Sequence, residues 1–291
     1  MRLGPHLTTA GGLGHTALLA EEVGANTFQF FTRNPRGGAA RAITDQEIEE
    51  WQKERQRLGL YPVVGHLPYT VNLAAPNPET HAFAARILAE DWQRMALLGV
   101  EYLVVHPGSH GGAGADAGID RIVAAISTAL EKTNGPEMLL LETMAGQGSE
   151  VGGHLEELAT ILERLGNPPQ VGVCLDSCHL FAAGHDLSTP EGVDRLLREL
   201  DRTVGLERVK ASHLNDSKVE LASRRDRHER IGQGRLGDNG IGAYVRNPFI
   251  ARLPLLLETP VEDYREYAQE IRRVLRLAGQ QAGPAAQASG A

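Results

Sequence analysis

Two hydrophobic patterns alternate along the chain. Short runs dense in apolar residues, such as VVGH, YLVV, MLLLE, VGVCLD and PLLLE, are separated by longer stretches in which apolar positions recur every three or four residues among charged ones. The first pattern suits strands buried on both faces, and the second suits amphipathic helices. Strands are predicted at Arg2–His6, Thr27–Phe31, Val63–His66, Tyr102–His106, Met138–Glu142, Val171–Asp176, Val209–His213 and Leu255–Glu258. Helices are predicted at Gly14–Val23, Thr44–Leu58, Thr80–Leu98, Asp120–Lys132, His154–Leu165, Pro190–Thr203 and Asp263–Leu277. The seventh unit reads as a long loop with only a short helix near Ile241–Val245.

Strand and helix in strict alternation require a parallel sheet, and eight such units predict an α/β fold closed into a (β/α)8 TIM barrel. The competing arrangement, a doubly wound open sheet, lacks the GxGxxG turn after the first strand. No linker rich in Pro, Ser or Gly divides the chain, so one barrel domain is expected over residues 1–278. The Gly, Ala and Gln content of residues 279–291 predicts a flexible C-terminal tail.

Composition narrows the picture. With 291 residues, 42% of them hydrophobic, the chain can bury one large core. No apolar run approaches 18 residues, and the opening MRLGPHLTTAGG lacks the charged-then-apolar plan of a secretory signal. A soluble cytoplasmic protein without membrane contact is expected. Cys174 and Cys178 lie too close in sequence to staple a fold and read as small core residues rather than thiolate ligands. The formal charge of −8 argues against nucleic-acid binding by bulk charge. Several divalent cations gathered in one mouth would reverse that locally.

Candidate chemistry centres on VCLDSCHLFAAGHDL, Val173 to Leu187, where a buried strand ends in Asp176 and His179 follows three residues later. Side chains at the carboxyl end of a barrel strand point into the mouth. The ends of strands three to eight carry His66, His106, Glu142, Asp176, His213 and Glu258, spaced about 34 to 45 residues apart, one strand-helix unit each. Three more candidates follow in loops: His179, and the pair Asp226 and His228 in SRRDRHERIGQG. The i, i+2 spacing of that pair puts both side chains on one side of an extended backbone. Five His, two Asp and two Glu without thiolate suit Zn2+, with Mn2+ or Fe2+ next, and nine ligands fit three ions joined by a bridging carboxylate. His6 and His110, near strand ends, are expected to orient ligands rather than to bind metal. His15, His81, His154 and His185 read as structural.

The motifs HLPY, HPGSH, LETMAGQGS, CLDSCHLFAAGHDL, HLNDSK, SRRDRH, IGQG and LLLETP, in this order, resemble those of the endonuclease IV family of apurinic/apyrimidinic endonucleases up to about Leu277. The resemblance implies a (β/α)8 barrel with three zinc ions: one on His66, His106 and Glu142, a second on Glu142, Asp176, His213 and Glu258, and a third on His179, Asp226 and His228. It implies DNA-repair hydrolysis of the phosphodiester 5′ to an abasic site in duplex DNA, leaving a 3′-hydroxyl and a 5′-deoxyribose phosphate, with removal of 3′ blocking groups. Glu142 or Glu258 would orient or deprotonate the attacking water. For DNA, the resemblance places Arg36 and Tyr69 as wedges. Thr70, Gly37 and Gly38 stand where the family often has apolar or aromatic residues. Phosphate contacts are expected from Asn72, Lys218 and Arg227, with Arg33, Asn34, Asn215, Arg224 and Arg225 as further candidates. A monomer is expected. The alternative is a metal-dependent sugar isomerase or epimerase of the xylose isomerase-like barrels, whose one or two ions would leave His179, Asp226 and His228 without a task.

Overall fold

The computed structural model describes residues 1–35, 40–133 and 135–280. In chain order the elements are β1 (Arg2–Pro5), α1 (Leu13–Glu22), β2 (Phe28–Phe31), α2 (Asp45–Leu58), β3 (Val63–His66), α3 (Pro78–Leu98), β4 (Tyr102–Val105), α4 (Ala115–Leu130), β5 (Met138–Glu142) and α5 (Leu155–Arg164). There follow β6 (Val171–Asp176), α6 (Ser177–Ala183), α7 (Pro190–Thr203), β7 (Val209–His213), β8 (Asp216–Ser217), β9 (His228–Glu229), α8 (Gly237–Arg246), β10 (Pro254–Leu257) and α9 (Tyr267–Leu277). Eight strands form one sheet in the order β1-β10-β7-β6-β5-β4-β3-β2, and every pairing is parallel. The two ends of the sheet meet at one parallel bridge between His6 and Gln29, where the Leu7 amide donates to the Gln29 carbonyl at 2.8 Å. The predicted TIM barrel is therefore present, with its seam between β1 and β2.

Strand periodicity sets the height of the mouth. Val64, Val104, Leu140, Cys174, Ala211 and Leu256 pack into one buried apolar layer inside the barrel. Each lies two residues before His66, His106, Glu142, Asp176, His213 or Glu258, so each of those six side chains shares a face with the layer and stands one step above it. The apolar plug keeps water from entering below and supplies a rigid floor. Outside the strands, Trp51 and Trp92 are fully buried between helices and barrel, and their indole N–H groups donate to the carbonyls of Leu98 (2.9 Å) and Glu137 (3.2 Å).

Local signals explain most helix boundaries. Thr44 caps α2 in a capping box with Glu47, Asn77 caps α3 ahead of Pro78, and Thr189 caps α7 ahead of Pro190. Left-handed Gly59 and Gly99 end α2 and α3. Two stretches depart from expectation. Helix α4 begins at Ala115, five residues earlier than predicted, because the small residues of AGADAG, which read as loop, continue the helix from Gly114. In the seventh unit, the expected loop contains the antiparallel pair β8–β9, and the short helix expected near Ile241–Val245 runs ten residues, Gly237–Arg246. The cause is Asp216, whose buried carboxylate accepts hydrogen bonds from the amides of Ser217, Gly234, Leu236 and Gly237 at 2.8 to 3.1 Å. One side chain thus gathers both ends of an excursion of about twenty residues.

The loop after β2 is anchored from inside. Arg33 Nε and Nη2 donate to the two carboxylate oxygens of Asp91 on α3, at 2.8 and 2.5 Å, and Thr32 Oγ1 donates to the same carboxylate. Arg33, expected at a phosphate, is instead buried in this fork-shaped pair. The expected wedge Arg36, with Gly37 and Gly38, lies outside the described residues, as does the tail beyond Gln280. Among the described residues no helix is long and apolar enough to cross a membrane.

Candidate metal centre

Nine side chains converge on the mouth. Glu142, at the end of β5 and fully buried, faces four imidazoles: Oε2 lies 3.2 Å from His66 Nε2 and 3.1 Å from His106 Nε2, and Oε1 lies 3.0 Å from His213 Nδ1 and 3.3 Å from His179 Nδ1. His213 Nδ1 is also 3.3 Å from Glu258 Oε2 and 3.8 Å from Asp176 Oδ2. Asp226 Oδ1 bridges His179 Nε2 (3.3 Å) and His228 Nε2 (3.2 Å), and the latter is 3.7 Å from Asp176 Oδ2. Ligating atoms draw together in the groups His66–Glu142–His213, Glu142–Asp176–His213–Glu258 and His179–Asp226–His228, with Cys178 near Asp176 and His228 as a fourth combination. All nine residues singled out as ligands are in the connected set.

The local chain explains several of these positions. Asp176 caps α6 through a hydrogen bond from the His179 amide to Oδ1 at 2.7 Å, so the DxxH spacing is a helix start that leaves Oδ2 to the mouth. Asn215 then donates from Nδ2 to that Oδ2 at 2.7 Å and accepts the Glu258 amide at 2.9 Å. The β8–β9 pair sets Ser217 against His228 and holds the Asp226–His228 segment over the mouth.

Hydrogen-bond chemistry makes the arrangement one that needs a cation. His66 Nδ1 lies 2.6 Å from the Leu67 carbonyl, His179 Nδ1 2.9 Å from the Thr143 carbonyl, and His228 Nδ1 3.2 Å from the Glu258 carbonyl. A carbonyl only accepts, so each of these nitrogens carries the proton. In the neutral ring, the opposite nitrogen is then bare, and in all three residues it points at a carboxylate. His179 Nε2 and His228 Nε2 are buried without a hydrogen-bond partner. Lone pair facing lone pair at about 3 Å is repulsive unless a proton or metal ion lies between, and two ligands on one tetrahedral zinc stand at about that separation.

The acid-base balance agrees. Burial pulls the His66 imidazole below its usual value despite Glu142. Burial opposes charge on His179 and His213 as well, yet both are raised well above the ordinary range, His179 by Asp176, Asp226 and Glu142 and His213 by Cys174, Glu258 and Glu142. Burial likewise works to raise Glu142 and Glu258, but the imidazoles prevail and hold both well below it. Without metal, protons fill some gaps. His66, shifted the other way, is the least ready to take one.

Expected DNA contacts fare unevenly. Tyr69 is 58% exposed at the rim, its ring edge-on to Phe31 with centroids 6.1 Å apart, and Thr70 Oγ1 donates to the Pro35 carbonyl, tying the loops after β2 and β3 together. Lys218 is exposed with its ammonium 3.9 Å from Glu229, and Arg224, Arg225 and Arg227 are exposed beside Asp226. Asn72 uses its amide inside the protein, donating to the Ser109 carbonyl and accepting from the amides of Ser109 and Ala74, which ties the loops after β3 and β4 together. Asn215 is fully buried among the ligands, out of reach of a phosphate backbone outside the barrel. His6 Nδ1 lies 3.2 Å from Glu258 Oε1, in contact with a candidate ligand. His110 instead caps its own loop, accepting from the Gly114 amide. Gln29 passed unnoticed in the sequence; a lone amide inside the aromatic strand FQFF was the available signal.

Comparison with known proteins fits this geometry. The family profile described as xylose isomerase-like TIM barrel matches residues 17–279. The probable endonuclease 4 of Moorella thermoacetica is 55% identical over 95% of this chain and 99% of its own length. The crystal structure of endonuclease IV from Thermus thermophilus superposes with a TM-score of 0.85 at 36% identity, covering 96% of this chain and 99% of that one. A D-tagatose 3-epimerase-like protein, over 96% of this chain and 98% of its own, has a TM-score of 0.68 at 16% identity, a likeness of fold alone. A barrel whose mouth gathers these His, Asp and Glu side chains, matched over nearly its whole length by relatives at these identities, belongs to the endonuclease IV family.

Proposed function

We propose that this chain hydrolyses the phosphodiester 5′ to abasic sites in duplex DNA, leaving a 3′-hydroxyl and a 5′-deoxyribose phosphate, and that it also removes 3′ blocking groups. Three divalent cations, zinc foremost with Mn2+ an alternative at some sites, are held by His66, His106 and Glu142, by Glu142, Asp176, His213 and Glu258, and by His179, Asp226 and His228. The observation that carries the reading is the set of imidazole nitrogens turned on carboxylates, His66 Nε2 toward Glu142 Oε2 and the buried His179 Nε2 and His228 Nε2 toward Asp226 Oδ1. Bound divalent cations supply Lewis acidity toward phosphate oxygens and lower the pKa of water.

The protein's own residues divide the remaining work. Glu142, enclosed by four imidazoles and 1% exposed at its side chain, has no oxygen to spare for a proton and serves as the bridging carboxylate. Glu258 is 17% exposed, with Oε1 held by Gln29 and His6, and of the two it is the carboxylate that solvent water reaches. Extrusion of the damaged sugar costs least where pairing is already lost. Tyr69 and Arg36 enter the gap as wedges. Lys218 and Arg227, with Arg224 and Arg225, form a basic rim on an acidic protein, and Asn72 acts by shaping its loop. Every ligand comes from one chain, so a monomer suffices.

The test is incision of a duplex carrying one tetrahydrofuran abasic analogue, with both ends of the product mapped. A 3′-hydroxyl at the nucleotide preceding the analogue is the expected result. Cleavage on the 3′ side, or no cleavage by zinc-loaded protein, contradicts the proposal. Turnover of a ketose instead would favour the epimerase alternative.

A further inference from the structure

Gln29 occupies a place the apolar pattern reserves for a hydrocarbon. On β2 it is in register with Val64, a member of the buried layer beneath the ligands, and it is fully buried. A buried amide is costly unless its polar atoms find partners. Here both ends of the amide are taken by the ligand set. Gln29 Nε2 donates to Glu258 Oε1 at 2.7 Å and lies 2.9 Å from His6 Nδ1, and Gln29 Oε1 lies 2.8 Å from His213 Nε2.

These contacts form a chain of forced choices. An ionised carboxylate only accepts, so the NH2 end of Gln29 must face Glu258. The carbonyl end then faces His213 and only accepts, so His213 Nε2 carries a proton. In the neutral ring this leaves His213 Nδ1 bare, and Nδ1 is the nitrogen directed at Glu142 Oε1, Glu258 Oε2 and Asp176 Oδ2. The same amide takes up Glu258 Oε1 and leaves Oε2 toward His213. The other three ligand histidines with a fixed tautomer are set by backbone carbonyls. His213, on β7 across the barrel interior, is set by a side chain reaching over from the seam.

We propose that Gln29 is a positioning residue: it fixes His213 as an Nδ1 ligand and holds Glu258 with Oε2 toward the cation shared with Glu142 and Asp176. The inference rests on the metal reading above. Loss of a hydrogen-bonding partner behind a ligand typically weakens metal affinity about 10- to 100-fold. The effect falls on one of the three sites, because Gln29 touches no ligand exclusive to the other two. Gln29 is buried beneath the mouth, so KM for DNA does not change.

The experiment compares wild type with Gln29→Met, which keeps the volume without the amide, and Gln29→Glu, which still accepts from His213 but cannot donate to Glu258 when ionised. Zinc binding to metal-free protein is measured by competition with a chromophoric chelator, and the His213 ring is followed by long-range proton-nitrogen correlation in the zinc-loaded protein. Expected for Gln29→Met are one site weakened about 10- to 100-fold with the other two within about twofold, a rapidly exchanging His213 Nε2 proton, and reduced kcat at unchanged KM. Gln29→Glu keeps that proton protected but also weakens the one site. If either variant does not fold, judged by thermal unfolding of its metal-free form, the other still decides, each by its own expected result. Three undiminished sites in a folded variant overturn the role of Gln29 while leaving the metal reading intact. A wild-type chain that takes up no zinc overturns both.

Discussion

His66 Nε2 stands 3.2 Å from Glu142 Oε2 while His66 Nδ1 is engaged by the Leu67 carbonyl at 2.6 Å. Burial pulls this imidazole below its ordinary value against the pull of Glu142, which disfavours a shared proton between the facing nitrogen and oxygen. The fold holds two acceptors together at a separation that favours neither. Such an arrangement persists when the surrounding structure over-determines it, and it is relieved by a cation.

Glu258→Gln tests the division of labour between the two glutamates. Removing the charge from the more open carboxylate is expected to lower kcat for abasic-site incision by about 10²- to 10⁴-fold with the fold retained. Single-turnover incision and circular dichroism check it. Near-normal turnover would reassign proton transfer.

Asp91→Ala tests the anchor of the loop after β2. The side chains of Arg33 and Asp91 are 2% and 0% exposed, so the variant takes the fork-shaped carboxylate away from a buried guanidinium and leaves the half-exposed Glu90 beside it. A loss of about 3–5 kcal/mol in urea unfolding is expected. A loss below about 1 kcal/mol, the scale of an exposed pair, would mean that water reaches Arg33 freely.

The strand ends were legible because each apolar run stops at an ionisable residue, and i, i+2 spacing puts that residue directly above the apolar layer. His66, His106, Glu142, Asp176, His213 and Glu258 therefore announce themselves. What stayed hidden depends on burial, which residue type does not encode. Asn215 and Arg33 look like phosphate contacts in a one-dimensional reading, and one is spent on Asp176 and Glu258, the other on Asp91. The β8–β9 pair escaped notice because backbone amides converging on Asp216 create it, with no periodic pattern to mark it.

Cys178 lies near Asp176 and His228, and a thiolate there would be a competing ligand. Burial, followed by the charge of Asp176, pushes its thiol up to about 12. At about pH 8 it is expected to be a neutral thiol that iodoacetamide does not modify in the folded protein. Cys178→Ala should bind as much zinc as wild type, and the loss of one equivalent would make the sulfur a ligand.

The capping box of α2 carries a pH signature. A hydrogen bond from Arg41, then one from the Thr44 amide, holds the Glu47 carboxyl at about 2 against an ordinary 4.5. A depressed folded value means that its contribution is full above the unfolded value and is lost as pH falls through the folded one. The stability gap between wild type and Glu47→Gln should thus be present at about pH 6 and narrow as pH is taken below the ordinary 4.5. Because the pair is partly exposed, salt should shrink the gap. A gap that is constant with pH would mean that Glu47 acts only through its neutral hydrogen bonds.

Whether nine side chains hold three cations is decided by anomalous diffraction at the zinc edge from zinc-loaded crystals. Three peaks are expected: among His66, His106 and Glu142; among Glu142, Asp176, His213 and Glu258; and among His179, Asp226 and His228. No peak beside His179, Asp226 and His228, with those side chains contacting only water, would contradict the three-cation mouth.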